Sequence, residues 1–270
     1  MPGLFKHNAN QDIYRGLNKG FEHPGTLLFR GRELVEVNKY ALMHHLDASL
    51  RILDLGCGEG FIGNMLFNKI DVGLDLVFQE AQKAHALAAY KNVVITDAKD
   101  MSFRDNSFDV IFSNSVIEHI KEIDQVLKEI SRVLSRRGLF IFTVPSDKFG
   151  DYLYFNALFK KIGLSLIGRI YSWARNRQLN HFNLSDHLKW YERLRKYSLE
   201  VTYSKYYLSG EDIYEWDKIC LLLRLTKPLG FIHKVLTHKF YNKVTRLLSE
   251  EENFEVGAGL LIVTMKCPHV

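Results

Sequence analysis

The sequence has few of the residues that cross-link or interrupt a fold. Its 270 residues include five prolines and three cysteines, and Cys57, Cys220 and Cys267 form no C-x-x-C pair. We therefore expect neither a disulfide framework nor a cysteine-based zinc or redox site. No uncharged apolar run approaches the roughly 18 residues that cross a bilayer, and residues 1–10 lack the apolar stretch of a signal peptide. These absences predict a cytoplasmic protein without a membrane-spanning helix.

Charge is unevenly distributed along the chain. The whole sequence carries 36 Lys and Arg against 31 Asp and Glu, a formal net charge of +5. Residues 146–250 contain 18 basic and 10 acidic residues, a net charge of +8. The rest of the chain contains 18 basic and 21 acidic residues, a net charge of −3. The same segment contains 19 of the 34 aromatic residues. We interpret the chain as a scaffold followed by a region that recognises a substrate.

Hydrophobic periodicity predicts alternating strands and helices before residue 146. Strands that are separated by helix-length segments indicate a parallel sheet with helices on both faces. The predicted strands are 51–55, 70–75, 93–96, 108–112 and 139–144, and the predicted helices are 34–46, 61–66, 78–90 and 123–134, with 10–31 irregular.

Beyond residue 145 the pattern becomes mostly helical. Apolar residues from Phe155 to Trp173 recur every three or four positions, which predicts one continuous helix. Its apolar face is expected to cover the sheet as a lid or, as the alternative, to lie on an anionic membrane or a lipid-like acceptor. Further helices are predicted at 185–197 and 232–248, and strands at 199–207 and 258–265.

A glycine-rich turn, DLGCGEG at 54–60, follows the first predicted strand. Such a turn lets a ligand approach the backbone closely. Residues 58–63 formally fit G-x-G-x-x-G, the dinucleotide fingerprint. The strand, however, ends at Leu55 and the turn begins at Gly56, two residues before that fingerprint would start. Because Asp54 and Glu59 would repel a pyrophosphate, the turn suits a positively charged ligand better.

These residues resemble the motifs of class I S-adenosylmethionine-dependent methyltransferases, whose first motif is acid-x-Gly-x-Gly-x-Gly. Asp54, Gly56, Gly58 and Gly60 match that motif, and the resemblance extends over residues 50–145, including 108–119 and 133–145. It implies a Rossmann-like α/β fold with a seven-stranded, mostly parallel sheet, helices on both faces and a helical cap formed by insertions. It also implies S-adenosylmethionine as the cofactor.

The resemblance further implies which residues meet that cofactor. Backbone atoms of the glycine turn would contact its methionine end, and Asp54 would order the turn and complement its positive charge. A carboxylate that ends the second strand can accept hydrogen bonds from both ribose hydroxyls, and residues that end the third and fourth strands would reach the adenine and the cleft. The predicted cofactor residues are Asp54, Gly56, Cys57, Gly58, Gly60, Asp75, Leu76, Asp97, Ala98, Ser113 and Asn114.

Methyl transfer needs mainly alignment of the reacting atoms and exclusion of water. If the acceptor is a hydroxyl group, a histidine is the natural general base near neutral pH. His119, after the fourth strand, and His181, in the variable region, are the predicted catalytic residues; each could instead have a structural role. Arg30 could close over the cofactor carboxylate or remain solvated. No spacing of His, Asp and Glu predicts a metal site.

The predicted function is transfer of a methyl group to a small-molecule or lipid-linked acceptor, on oxygen in preference to nitrogen or carbon. Residues 1–49 would form a helical segment over the cofactor cleft, 50–145 the cofactor-binding core and 146–270 the substrate-specificity region. The basic, aromatic 146–250 region suggests contact with a membrane surface, so that the protein would be cytoplasmic or peripheral at a membrane; nucleic acid is disfavoured. The alternatives are an NAD(P)-dependent oxidoreductase and a non-catalytic binding module with the same fold.

Overall fold

One seven-stranded sheet organises the molecule. The computed structural model describes residues 16–17, 23–44, 46, 49–249 and 255–267. In these residues the strand order is β3-β2-β1-β4-β5-β7-β6, with β1 to β5 parallel and β7 antiparallel to both β5 and β6. This confirms the predicted mostly parallel sheet. The strands are β1 (Ile52–Leu55), β2 (Ile70–Asp75), β3 (Tyr90–Ile95), β4 (Phe108–Asn114), β5 (Leu134–Pro145), β6 (Leu199–Leu208) and β7 (Gly259–Lys266).

The described α-helices cover both faces of the sheet. The buried face of α4 (Ile123, Val126, Leu127, Ile130 and Val133) packs in one apolar cluster with β5 and α7, and α1, α8 and α9 contribute to a second cluster. The helices are α1 (Pro24–His44), α2 (Phe61–Leu66), α3 (Phe78–His85), α4 (Ile123–Val133), α5 (Tyr154–Lys161), α6 (Ser165–Gln178), α7 (His187–Arg195), α8 (Gly210–Thr226) and α9 (Phe231–Ser249).

Two predicted segments before residue 146 differ from the structure. The helix expected over 78–90 ends at His85, because Tyr90 begins β3 and its buried ring packs beneath the glycine turn. The irregular segment expected over 10–31 includes the start of α1 at Pro24. Residues 1–15 and 18–22 lie outside the described residues.

The continuous helix predicted from Phe155 to Trp173 is wrong. Gly163, whose φ is +80°, separates α5 from α6 by a turn. Only the first part of the apolar stripe is partly buried, since Leu166, Ile170 and Trp173 are 70%, 56% and 63% exposed. These three side chains do not form a lid on the sheet.

A buried carboxylate holds the cap helices α5, α6 and α8 together. Asp217, on α8, is fully buried and accepts hydrogen bonds from the Tyr154 backbone N–H at 3.1 Å, the Tyr171 hydroxyl at 2.7 Å and Arg175 Nε at 2.9 Å. The Arg175 side chain is 12% exposed. A buried ion pair with additional hydrogen bonds is costly to break, because the remaining charge loses its partner.

We predict that Asp217→Ala lowers the free energy of unfolding by about 3 kcal/mol, the cost of leaving one member of a buried pair. Urea denaturation monitored by circular dichroism measures the change. Glu211→Ala, at an exposed position of the same helix, serves as the control. A loss for Asp217→Ala no larger than that for the control would contradict the role assigned to Asp217.

Candidate active site

The first cavity lies at the carboxyl ends of β1, β2 and β3, the edge at which open parallel sheets bind ligands. Its volume is about 410 Å³. The glycine turn and the ends of β2 and β3 contribute to its wall, as do residues that follow β4. Five of the predicted cofactor residues line this one cavity: Gly56, Asp75, Leu76, Asp97 and Ala98.

The backbone of the glycine turn requires glycine at its first position. Gly56 has φ +76°, and a Cβ there would lie 2.5 Å from both methyl carbons of Val116. The N–H groups of Gly56 and Cys57 both donate to the Leu74 carbonyl, at 2.7 and 3.0 Å. The turn is therefore anchored to β2, and a bulkier residue at position 56 would displace the wall of the cavity.

Asp75 connects the glycine turn to the start of α3. Its carboxylate accepts hydrogen bonds from the Gly58 N–H at 2.7 Å and the Val77 N–H at 2.9 Å. Each carboxylate oxygen can accept more than one hydrogen bond, so both retain capacity for a ligand. Asp97 accepts from the Lys99 N–H at 2.9 Å, and Leu76, 66% exposed, presents an apolar surface between these two acids.

The other predicted cofactor residues are not among those that line the cavity. Asp54 is buried and accepts a hydrogen bond from the Tyr90 hydroxyl at 2.6 Å; burial raises its pKa to about 7. Burial also raises the pKa of the Cys57 thiol, which disfavours a nucleophilic thiolate. Gly58 and Gly60 continue the turn with positive φ angles.

Ser113 and Asn114, expected to reach the cleft, bond to the protein instead. The Ser113 hydroxyl donates to the Leu55 carbonyl at 3.0 Å, and the Asn114 amide donates to Glu33 at 3.1 Å. Ser115 lines the cavity in their place. Because Ser115 has φ +50°, the chain turns here and presents a residue one position later than strand alternation predicts.

A second cavity of about 210 Å³ adjoins the first. Ser115 and His119 line both of them. Aromatic rings form much of the wall of this second cavity. The ring centroid of Phe149 lies 6.5 Å from that of Phe29, 5.6 Å from that of Trp216 and 5.1 Å from that of His181. The second cavity therefore combines an apolar wall with polar groups at its junction with the first.

Glu33 fixes the polar side of the second cavity. It is fully buried and accepts hydrogen bonds from the Ser115 hydroxyl at 2.5 Å and the Tyr207 hydroxyl at 3.0 Å, in addition to an ion pair with Arg30. Burial opposes ionisation, but Arg30 and Ser115 hold the pKa of Glu33 below its ordinary value. Glu33 is therefore a buried carboxylate that orients Ser115 and Arg30.

Arg30 lines the second cavity and pairs with Glu33. It is not among the residues that line the first cavity, and its side chain is only 26% exposed, so it is not a solvated arginine. Its predicted position over the cofactor carboxylate stays a prediction. The N-terminal segment also contributes Thr26 and Phe29 of α1 to the second cavity; its position over the cofactor cleft stays a prediction.

Glu118 is a second buried acid at this cavity. It is 1% exposed, and its Oε2 has no hydrogen-bond partner among the residues that the structure describes. Burial raises the pKa of Glu118 to about 8, and the negative charge of Glu33 adds to this effect. Glu118 is thus a carboxylic acid at neutral pH, able to donate a hydrogen bond to a ligand in the cavity.

The two predicted catalytic histidines lie together. Their ring centroids are 5.6 Å apart and the rings are stacked, although the residues are separated by 62 positions in the sequence. Asn180 O lies 3.2 Å from His119 Nδ1, and Asn176 Oδ1 lies 3.1 Å from His181 Nδ1. Burial lowers the pKa of both, that of His181 to about 4. Both imidazoles are therefore neutral near pH 7 and can accept a proton.

Sequence reasoning missed Glu33, Ser115, Tyr207 and the unpartnered oxygen of Glu118. Only the Glu118-His119 pair, shortly after β4, gave a local signal.

The described residues contain no cluster of three His, Cys, Asp or Glu side chains suited to a metal ion. A larger cavity, about 790 Å³, lies near the amino ends of β4 and β6 and is bordered by Lys128, Arg136 and Lys196, away from this site.

The fold and these two cavities define an α/β protein that binds a ligand at the carboxyl ends of its strands. Residues 53–142 match the family model of a methyltransferase domain. The chain is similar to malonyl-[acyl-carrier protein] O-methyltransferase of Legionella pneumophila (35% identical; 50% of this chain and 47% of the relative). It is also similar to a ubiquinone biosynthesis O-methyltransferase of Mesorhizobium japonicum (30% identical; 45% of this chain and 47% of the relative).

Among solved structures, a putative sarcosine dimethylglycine methyltransferase from Galdieria sulphuraria has the same fold. Its TM-score is 0.57 at 15% identity, and the match covers 88% of this chain and 86% of that chain. The segment matched by the family model, 53–142, contains the glycine turn and Asp75, and it is similar to S-adenosylmethionine-dependent methyltransferases. Each match to the two curated relatives spans about half of the relative's length, 47% in both.

The cofactor of such methyltransferases is S-adenosylmethionine, and the first cavity fits it. Positive φ angles at Gly56, Gly58 and Gly60 leave backbone atoms open to close approach. Asp75 and Asp97 provide acceptors for hydroxyl and amino groups, and Leu76 offers an apolar contact for a flat ring. The acids near this edge also complement a positively charged sulfonium.

We predict that Glu118→Gln changes how stability depends on pH. A buried acid whose pKa rises to about 8 keeps its proton in the folded state, whereas the unfolded chain releases it near the ordinary carboxyl pKa. As the pH rises from 5 to 8, the free energy of unfolding of the wild type should therefore fall by about 2–4 kcal/mol relative to that of Glu118→Gln. Urea denaturation across this range measures the difference.

Glu122→Gln is the matched control, because that side chain is 53% exposed. Its stability should follow the wild type at every pH. If the free energies of unfolding of the wild type and Glu118→Gln changed in parallel with pH, Glu118 would be ionised in the folded protein, contrary to the prediction.

Proposed function

We propose that this protein transfers a methyl group from S-adenosylmethionine to an oxygen atom of a small-molecule or lipid-linked acceptor. The observation that carries the proposal is the junction of the two cavities at Ser115 and His119. One cavity has the acids and glycines suited to the cofactor, and the other has an aromatic wall suited to an acceptor. A reacting oxygen at the junction would face both.

In this proposal, the eleven predicted cofactor residues fall into two groups. Gly56, Asp75, Leu76, Asp97 and Ala98 contact the cofactor directly. The others, Asp54, Cys57, Gly58, Gly60, Ser113 and Asn114, hold the backbone that forms the cavity. When bound, S-adenosylmethionine supplies a methyl group activated by its positively charged sulfur.

The proposed proton acceptor is His119. When the acceptor hydroxyl is methylated it must lose its proton, and the neutral imidazole would take that proton up. His119 is the histidine that lines both cavities. His181 stacks on it and would hold the ring in place, and Glu118, as a neutral acid, would orient the acceptor by donating a hydrogen bond. The aromatic side chains of Phe149 and Trp216 would exclude water.

Several relatives favour oxygen as the acceptor atom. The two O-methyltransferases described above and a fatty-acid O-methyltransferase of Mycolicibacterium smegmatis, 28% identical over 47% of this chain, carry that activity in their names. The apolar wall of the second cavity supports an acceptor with an apolar portion. We propose the 50–145 segment as the cofactor core, 1–49 as the helical segment over the cofactor cleft and 146–270 as the region that selects the acceptor.

A lipid-linked acceptor would bring the protein to a membrane. No described helix is long and apolar enough to cross a bilayer. We propose a peripheral contact through residues 146–250, in which the exposed apolar side chains Leu166, Ile170 and Trp173 of α6 take part. Exposed Lys160, Lys161 and Arg169 lie near them in sequence and would meet anionic headgroups.

We predict that Asp75→Ala abolishes measurable binding of S-adenosylmethionine and S-adenosylhomocysteine, because the ribose hydroxyls lose their acceptor and the glycine turn loses its anchor. Isothermal titration calorimetry of the purified protein measures both ligands, with NADH as the competing cofactor. Glu59→Ala, an exposed acid of the same turn, is the control and should bind like the wild type. Binding of NADH in preference to S-adenosylmethionine would overturn the proposed function.

We predict that His119→Ala lowers kcat roughly a hundredfold, the contribution of a positioned general base, with nearly unchanged affinity for the cofactor. His181→Ala should cause a smaller loss. The readout is transfer of a radiolabelled methyl group to the acceptor found by screening hydroxylated lipids and small molecules. Since burial lowers the pKa of His119, kcat should stay constant to a lower pH than the ordinary histidine pKa of about 6.5.

His85→Ala, on the exposed surface of α3, controls for loss of an unrelated histidine. Unchanged turnover in both His119→Ala and His181→Ala would exclude a histidine base. Methyl transfer would then depend on alignment only.

A further inference from the structure

An exposed apolar surface lies where α8 ends and α9 begins. It consists of Leu225, Leu229, Phe231, Ile232 and Val235, which we call the turn patch. All five are about half exposed or more, and Leu225 and Phe231 reach 71% and 80%. Apolar side chains clustered at one place on a surface usually mark an interaction site.

The exposure is confined to one end of α9. Phe240, Val244 and Leu247, farther along the same helix, are buried and belong to the core cluster that also contains residues of α1 and α8. The helix therefore uses its second half to pack on the protein. In its first turns, Phe231, Ile232 and Val235 remain about half exposed or more.

The segment that carries the turn patch is basic. Residues 218–249 contain seven Lys and Arg and no Asp or Glu, and two of the seven, Lys218 and Lys243, pair with Glu215. Arg224, Lys227, Lys234 and Lys239 are exposed and alternate with the residues of the turn patch. Apolar side chains among basic ones are typical of surfaces that enter the interface of an anionic membrane, where basic residues meet the headgroups.

The turn patch is connected to the second cavity through α8. Trp216 lines that cavity, and Leu225 follows nine residues later on the same helix, a rise of about 14 Å. The same helix also contacts α1, because the Cys220 sulfur lies close to Gly25. The next residue of α1, Thr26, lines the second cavity. A surface that holds the turn patch would thus also hold the elements that form the acceptor cavity.

We propose that the turn patch inserts into the headgroup region of an anionic membrane and orients the second cavity toward a lipid-linked acceptor. This inference deepens the membrane contact proposed above and rests on it. It assigns the contact to the connection between α8 and α9, in addition to α6. It does not depend on the chemistry of methyl transfer.

Vesicle flotation tests the proposal. At low salt, the purified protein should float with phosphatidylcholine vesicles that contain phosphatidylglycerol, and much less with phosphatidylcholine vesicles. Leu225→Ser combined with Phe231→Ser should reduce flotation at least fivefold, because the apolar anchors are lost. Lys227→Glu combined with Lys234→Glu should reduce it similarly, and added salt should weaken binding of the wild type.

Matched controls separate this surface from other exposed residues. Leu188→Ser, at a position 62% exposed on α7, controls for the apolar variants, and Lys128→Glu, exposed on α4, controls for the charge variants; both should float like the wild type. Calorimetry with S-adenosylmethionine should give the same affinity for all of these proteins, so loss of flotation is distinguishable from failure of the cofactor site.

Two results would overturn the proposal. One is absence of flotation with anionic vesicles, or flotation that the turn-patch variants leave unchanged. The other is a dimer of the wild type in sedimentation velocity that Leu225→Ser and Phe231→Ser convert to a monomer, since the turn patch would then bind a second copy of the chain.

Discussion

The contacts of the ionised Glu33 are the interaction on which the second cavity depends. It lies on α1 and receives hydrogen bonds from Asn114 and Ser115, at the end of β4, and from Tyr207 on β6. These contacts join parts of the chain that lie 81 to 174 residues apart. A charge buried without partners would be prohibitively costly. The compensating contacts therefore fix α1 over the sheet and set the shape of the second cavity.

The acids at this edge of the sheet divide into ionised and neutral groups. Arg30 and the surrounding donors keep Glu33 charged, whereas Glu118 lacks comparable partners and holds its proton. Asp54, beneath the glycine turn, also has a raised pKa. Acids with different environments can accept or donate hydrogen bonds at the same pH. Of these three acids, Glu118 lines the second cavity and can donate a hydrogen bond there, whereas Glu33 and Asp54 accept hydrogen bonds from protein groups and order the surrounding structure.

Much of the sheet and of the cofactor cavity could be predicted from the sequence, because both depend on local signals. Strand β2 and its terminal Asp75 follow from an apolar run and the residue that ends it. The second cavity depends on contacts between distant segments, which no local pattern reveals. Tyr90 illustrates the limit: it continues an apparent helix in the sequence but begins β3, since its hydroxyl reaches Asp54. Likewise, the positive φ of Ser115 moved the cavity-lining position past Ser113 and Asn114.

The placement of β7 has a consequence for the order in which the molecule can form. This strand lies between β5 and β6 and pairs with both, although both are synthesised before it. Until residues 259–266 leave the ribosome, β5 and β6 each have an unpaired edge, and such edges favour wrong associations. The first five strands can pair earlier. Strands β1 to β5 can thus assemble during translation, whereas β6 joins the sheet only when β7 is complete.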